Sequence, residues 1–195
     1  MVKKAIGAIF ALAMVLTMSG CTMMHMGYQA AFKSGDLDPK AMPAFDEMFT
    51  KLCKDGDPAK AMMKEWKVDK GIKGDDLKDS ITALTESYNM RLTNYVKMYT
   101  KDDAAPNEVK EARIWSLCNL TTAKVFLNYS RYYGGFMPCR IIYVEYGNGD
   151  AYLISMDMTL AIYGGKPLPK EMLDSALAVK KAMEEIPARA AKGDF

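Results

Sequence analysis

The residues best suited to chemistry in this chain are sulfur-bearing and aromatic. Cysteines stand at positions 21, 53, 118 and 139, and His25 is the single histidine. Met23-Met24-His25-Met26 sets three thioethers and that imidazole side by side. Thioether and imidazole suit Cu(I), so the tract is a candidate metal site, weighed against a flexible stretch of sticky residues. The other methionines, among them Met48, Met62, Met63, Met90, Met98, Met172 and Met183, are scattered, and methionine is an adaptable core filler. With His25 alone, Ser-His-Asp and Cys-His catalysis and His-ligated zinc are closed to the rest of the chain. Glu145, Asp150 and Asp157 flank a hairpin signal, where charged side chains are ordinarily just solvated. No phosphate loop, dinucleotide fingerprint or haem CxxCH occurs. No cofactor is called for, and the chain is not expected to be an enzyme.

Cys118 and Cys139 form the most pointed pair. Cys118 ends one expected strand and Cys139 begins the next. If these strands are antiparallel neighbours, both sulfurs lie at one end of the sheet, within the roughly 4.4–6.8 Å between alpha carbons that a disulfide needs. A parallel crossover would place them at opposite ends. Three readings stay open: a structural disulfide, two separate buried thiols, or a redox-active pair. The spacing is not C-x-x-C, so thioredoxin-type exchange has no local support. A disulfide closing these 22 residues would contribute about 3 kcal/mol.

Tyr129, Tyr132, Tyr133 and Phe136 cluster just before Pro138, with Arg131 and Arg140 nearby. Tyr129, Tyr133, Phe136 and Arg140 are the candidate lining of a small-ligand pocket. The alternative is that these rings are core packed against a sheet, with hydroxyls at the rim.

The start of the chain indicates where such a domain would work. Lys3 and Lys4 precede the short apolar run from Ala5 to Thr17, followed by Met18-Ser19-Gly20-Cys21. This pattern is an export signal, too short for a spanning helix. Small residues before Cys21 resemble the lipobox of bacterial lipoproteins, in which the cysteine becomes the first residue and carries acyl chains. Thr22 in place of aspartate favours the outer membrane, so a lipid-anchored protein on its periplasmic face is expected. Buried methylenes contribute about 0.8 kcal/mol each, so several acyl chains anchor firmly. Removing the signal takes away two of the 26 basic residues and leaves 24 against 24 acidic ones. A neutral chain has no bulk attraction for nucleic acid.

The elements that must position these residues are legible from period and punctuation. Residues 21–40 are expected to be a tether. Residues 41–65 are expected to form a short helical extension, with Phe45, Met48, Phe49 and Leu52 at helical spacing. Strands are expected over 66–72, 92–99, 113–118, 140–146 and 151–156. Helices are expected over Leu77–Tyr88, Leu120–Tyr133 and from Pro167 to Pro187. Residues 188–195 are left as a tail. Ile142 is expected inside a buried strand. The order β-α-β-β-α-β-β-α with short links favours an α+β domain with a mainly antiparallel curved sheet backed by helices.

Leu117-Cys118-Asn119, Met137-Pro138-Cys139-Arg140-Ile141, the hairpin ending at Asp157-Met158, and Tyr163-Gly164-Gly165-Lys166-Pro167-Leu168-Pro169 together resemble the DUF302 domain of bacteria and archaea. The resemblance covers about 66–187 and implies a small α+β domain without implying an activity. Three roles remain: a non-catalytic binding module for a small ligand or protein partner, a thiol- or copper-linked redox protein, and a structural envelope protein that self-associates, for instance as a homodimer.

Overall fold

A computed structural model describes residues 25–33 and 35–194. Cys21, Met23, Met24 and the stretch expected to be an export signal lie outside them. Five strands, β1 (Met63–Lys67), β2 (Arg91–Thr100), β3 (Val109–Cys118), β4 (Cys139–Tyr146) and β5 (Ala151–Met156), form one sheet in the order β1-β5-β4-β3-β2. Every neighbouring pair is antiparallel. Helices α4 (Gly74–Ser87) and α7 (Lys170–Ala190) back one face. The expected α+β class and element order hold.

The alternation of β3, β4 and β5 explains this layering. Trp115, Leu117, Ile141, Tyr143 and Leu153 all point to one side, where they meet Leu77, Ile81 and Leu84 of α4 and Val179, Met183 and Ile186 of α7. Each such large side chain contributes about 1.5–3 kcal/mol on burial. The other face carries Val96, Ile114, Ile142 and Ile154 in one cross-strand row. That row is only partly buried, and Val96 is 42% exposed. Ile142 therefore does not lie in the core, whereas Ile141 is 0% exposed. The run from Arg140 to Tyr146 is apolar on both of its faces, so its period of two does not say which face is covered.

Several boundaries differ from expectation, each for a local reason. Strand β1 starts at Met63 and ends at Lys67, because the chain turns at Gly71 with φ +97. Helix α5 (Leu120–Tyr129) starts as expected at Asn119, whose Oδ1 accepts the Thr122 N–H at 2.9 Å. It stops at Ser130, which is extended, and a 3-10 turn (Arg131–Phe136) runs on through the Gly134-Gly135 pair to a cis Met137–Pro138 bond. A short helix that period alone does not indicate, α6 (Thr159–Tyr163), follows β5. Helix α7 passes through Pro187 to Ala190, with Ile186, Pro187, Ala190 and Ala191 buried. Ala190 and Ala191, beyond Pro187, are thus part of the core, and the Asp69 N–H donates to the Ala191 carbonyl at 2.9 Å.

The segments before β1 are also docked. Residues 25–33, inside the stretch expected as a tether, are helical (α1). Helix α2 (Ala41–Asp55) lies against α6, and α3 (Pro58–Met62) leads into β1. The Asp38 N–H donates to the Gly165 carbonyl at 2.8 Å, and the Lys40 ammonium lies 4.7 Å from the Tyr163 ring centre.

Candidate functional site

At the end of the sheet where β3 stops and β4 begins, α5 and the 3-10 turn cap a cavity of about 60 Å³. Cys118 and Cys139 line it together with Met90, Met137, Met158 and Phe126. The antiparallel pairing of β3 with β4 is what collects the sulfurs. Leu117 is opposite Cys139, so Cys118 lies one position beyond at the same sheet end. Helices α6 and α7 close the remaining side through Ile162, Ala176 and Val179.

The aromatic cap is held by ring contacts. Phe126 and Tyr133 meet edge-on with centroids 5.0 Å apart, and Tyr133 lies 6.2 Å from Phe136. Such pairs contribute about 0.5–1.5 kcal/mol beyond their buried area. Tyr133 and Phe136 line the cavity. Tyr129 does not: it is 48% exposed and braces Tyr133 from outside, at 6.2 Å. Arg140 does not either. It lines an adjoining groove with Ile142, Ile154 and Met156, which shares Phe136, Cys139 and Met158 with the cavity.

Burial sets the chemistry of the two thiols. It pushes Cys139 up to about 11, with the neighbouring Cys118 adding to the effect, and it also raises Cys118. Both are free thiols in the structure. They are neutral near pH 7, which is unsuited to nucleophilic attack, since the thiolate is the reactive form. Cys53 is a free thiol exposed on α2.

The other candidates separate. His25 is exposed at the start of α1, with its Nε2 3.3 Å from Gln29 Nε2, and Met26 is exposed. Among the described residues, no group of three or more His, Cys, Asp or Glu side chains is placed to hold a metal ion. Glu145 accepts from the Tyr143 hydroxyl at 2.9 Å, Asp150 pairs with Lys67 at 2.7 Å, and Asp157 accepts from the Thr159 N–H at 3.0 Å. All three carboxylates are engaged in structural contacts, each with a different partner.

One polar cluster is absent from the sequence reading. Arg113 is 2% exposed and donates from Nε to Glu111 at 2.6 Å, and from Nη1 to Asp75 at 2.6 Å and to Tyr95 Oη at 2.9 Å. Lys97 adds a second cation 3.1 Å from Glu111. Burial works against the Glu111 carboxylate, but Arg113 and Lys97 outweigh it and hold its pKa below the usual range. The available signal is the β3 alternation, which puts Glu111 and Arg113 on the face of Trp115 and Leu117. With its donors committed to Glu111, Asp75 and Tyr95, Arg113 serves the fold.

Fold and cavity together define a small antiparallel α+β domain with a pocket bordered by cysteines and methionines at one end of its sheet. Within the described residues no helix is long and apolar enough to cross a membrane. The family model described as "Domain of unknown function DUF302" matches residues 75–189, and the chain belongs to this family. A crystal structure of the uncharacterized conserved protein DUF302 from Bacillus stearothermophilus is similar over 66% of this chain and 98% of that one. Its sequence identity is 11% and its TM-score 0.49. No curated protein matches the chain.

Proposed function

We propose that this protein is an exported lipoprotein, anchored through acylated Cys21 to the periplasmic face of the outer membrane. Its DUF302 domain is a non-catalytic module that binds a small ligand. The anchoring half rests on the sequence pattern alone: Lys3 and Lys4, an apolar run, and small residues before Cys21. The binding half rests on one observation, the capped cavity between α5 and the end of the sheet. At about 60 Å³ it is far below the roughly 300–1,000 Å³ of sites for drug-sized ligands and organic cofactors. Its occupant is therefore a species of one or a few heavy atoms.

Two measurements test the two halves. Cys21→Ser should abolish incorporation of labelled palmitate and release the protein from the membrane fraction; unchanged anchoring would overturn the lipoprotein reading. Apolar cavities of modest size take up xenon. Xenon under pressure should shift the methyl resonances of Ala123, Ile162 and Val179 saturably and leave those of Val96 unmoved. Equal, non-saturating shifts at all four would overturn the cavity as a site.

A second reading is a reversible Cys118–Cys139 disulfide, favoured by the shared sheet end of the two thiols. A redox titration followed by alkylation and intact mass separates it from the first.

A further inference from the structure

Five sulfur-bearing residues line one small cavity, although they come from distant parts of the chain. Met90 precedes β2, Cys118 ends β3, Met137 and Cys139 flank the start of β4, and Met158 precedes α6. Neither a histidine nor a carboxylate lines the space. Thiolate with thioether is a soft donor set, the kind that selects Cu(I). Zinc is disfavoured, since its structural sites take four Cys or His ligands. The volume supports an ion over an organic molecule.

We propose that this cavity is a binding site for a single Cu(I) ion, held by the Cys118 and Cys139 sulfurs with thioethers of Met137 and Met158. The inference rests on the binding-module reading and names its ligand class. It differs from the Met23-Met24-His25-Met26 tract in position and in donors, because it lies inside the folded domain.

The binding step balances simply. Both S–H bonds break, two protons pass to solvent, and two sulfur–copper bonds form. Copper arrives and remains as Cu(I), so no electron is exchanged. The bound unit, two thiolates and one monovalent cation, carries a net charge of −1. Without metal, the two neutral thiols act as small apolar groups.

The test uses the full chain in detergent, with Cys53→Ser to remove the exposed thiol. Cu(I) is titrated anaerobically against bicinchoninate as a competing chelator. One Cu(I) per chain is expected, with thiolate-to-copper absorption in the near ultraviolet. Cys118→Ser with Cys139→Ser should abolish it. Met137→Leu with Met158→Leu, a change that conserves volume, should weaken it about 10–100-fold, the scale of tuning contacts at metal sites. Should the double serine variant fail to fold by circular dichroism, the methionine pair decides. Replacing Met23, Met24, His25 and Met26 together (Leu, Leu, Ala, Leu) should leave affinity unchanged. No binding in competition with bicinchoninate, binding indifferent to the cavity variants, or binding lost with the N-terminal tract would each overturn the inference. Saturable xenon uptake without Cu(I) binding would remove the metal and leave the small-ligand module standing.

Discussion

Gly74 lies directly against the Arg113 guanidinium. A methyl group at Gly74 would fall 2.8 Å from Nη2 and closer still to Nε and Cζ. The guanidinium cannot swing away cheaply, because Glu111 and Asp75 hold it at 2.6 Å each. The absence of a side chain at the first residue of α4 is what lets a buried cation sit beneath the helix.

Gly74→Ala should therefore destabilise the domain by about 1–3 kcal/mol, the usual range for overpacking. Arg113→Met alone should cost about 3–5 kcal/mol, since it breaks a buried pair. The double variant should fall well short of the sum, because the clash disappears with the guanidinium. Urea denaturation of the four proteins checks this, and strict additivity would show that the two residues do not meet.

The register of β4 predicts an asymmetry between adjacent isoleucines. Ile141→Asp places a charge in the core and should cost more than about 4 kcal/mol, enough to unfold most domains. Ile142→Asp, on the partly open face, should cost about 1–2 kcal/mol and leave a folded protein. Far-ultraviolet circular dichroism with thermal melting distinguishes them, and the reverse order would mean that β4 is one residue out of register.

Thiol reactivity should follow burial. In native protein at pH 8, Cys53 should alkylate first and Cys139 last, with a lag of about 100-fold or more expected for a thiol ionised to only about one part in a thousand. The Cys139 rate should keep rising up to about pH 11, where its thiol ionises. In denaturant the three rates should converge. Peptide mapping after timed quenching reads each site, and a native Cys139 as fast as Cys53 would contradict its burial.

Asp157 should make stability fall in acid. Burial opposes its ionisation, but hydrogen bonds from the Thr159 hydroxyl and N–H, with Lys64 and Lys180, outweigh it and lower its pKa. A carboxyl depressed in the folded state stabilises above its unfolded pKa, and that contribution is lost as pH falls through the folded value. The stability gap between the natural protein and Asp157→Asn should be present at pH 7 and shrink steadily below about pH 4. Urea midpoints at pH 7 and pH 3 measure it; an unchanged gap would show that the Asp157 charge does not stabilise the fold.

How much of this could be read in advance depends on how far each signal reaches along the chain. Leu77, Ile81 and Leu84 mark the buried face of α4 within eight residues, and Asn119 marks the start of α5 by its side chain alone. Both were legible. The antiparallel β3–β4 pairing needed only the alternatives for Cys118 and Cys139 to be weighed, and the structure selects the arrangement with both sulfurs at one end. Met90 and Met158 were not legible as partners of that pair, because nothing local links residues 68 positions apart. The burial of Pro187 was missed because proline ordinarily ends a helix, whereas here packing of its ring in the core outweighs the lost hydrogen bond. Ile141 and Ile142 were indistinguishable, since both faces of their strand are apolar.

The sheet order also bears on how the chain assembles. Strands β2 with β3, β3 with β4 and β4 with β5 are each consecutive in sequence, whereas β1 pairs with β5 across 83 intervening residues. Ring-closure entropy rises with the length of the enclosed segment, so this seam carries the largest entropic penalty in the sheet. The first strand to leave a ribosome or translocon is thus the one whose partner arrives last. Until β5 emerges, β1 presents an unpaired edge, an opening for pairing with another chain, and Lys64 and Lys67 along it are the kind of charge that keeps such an edge soluble while it waits.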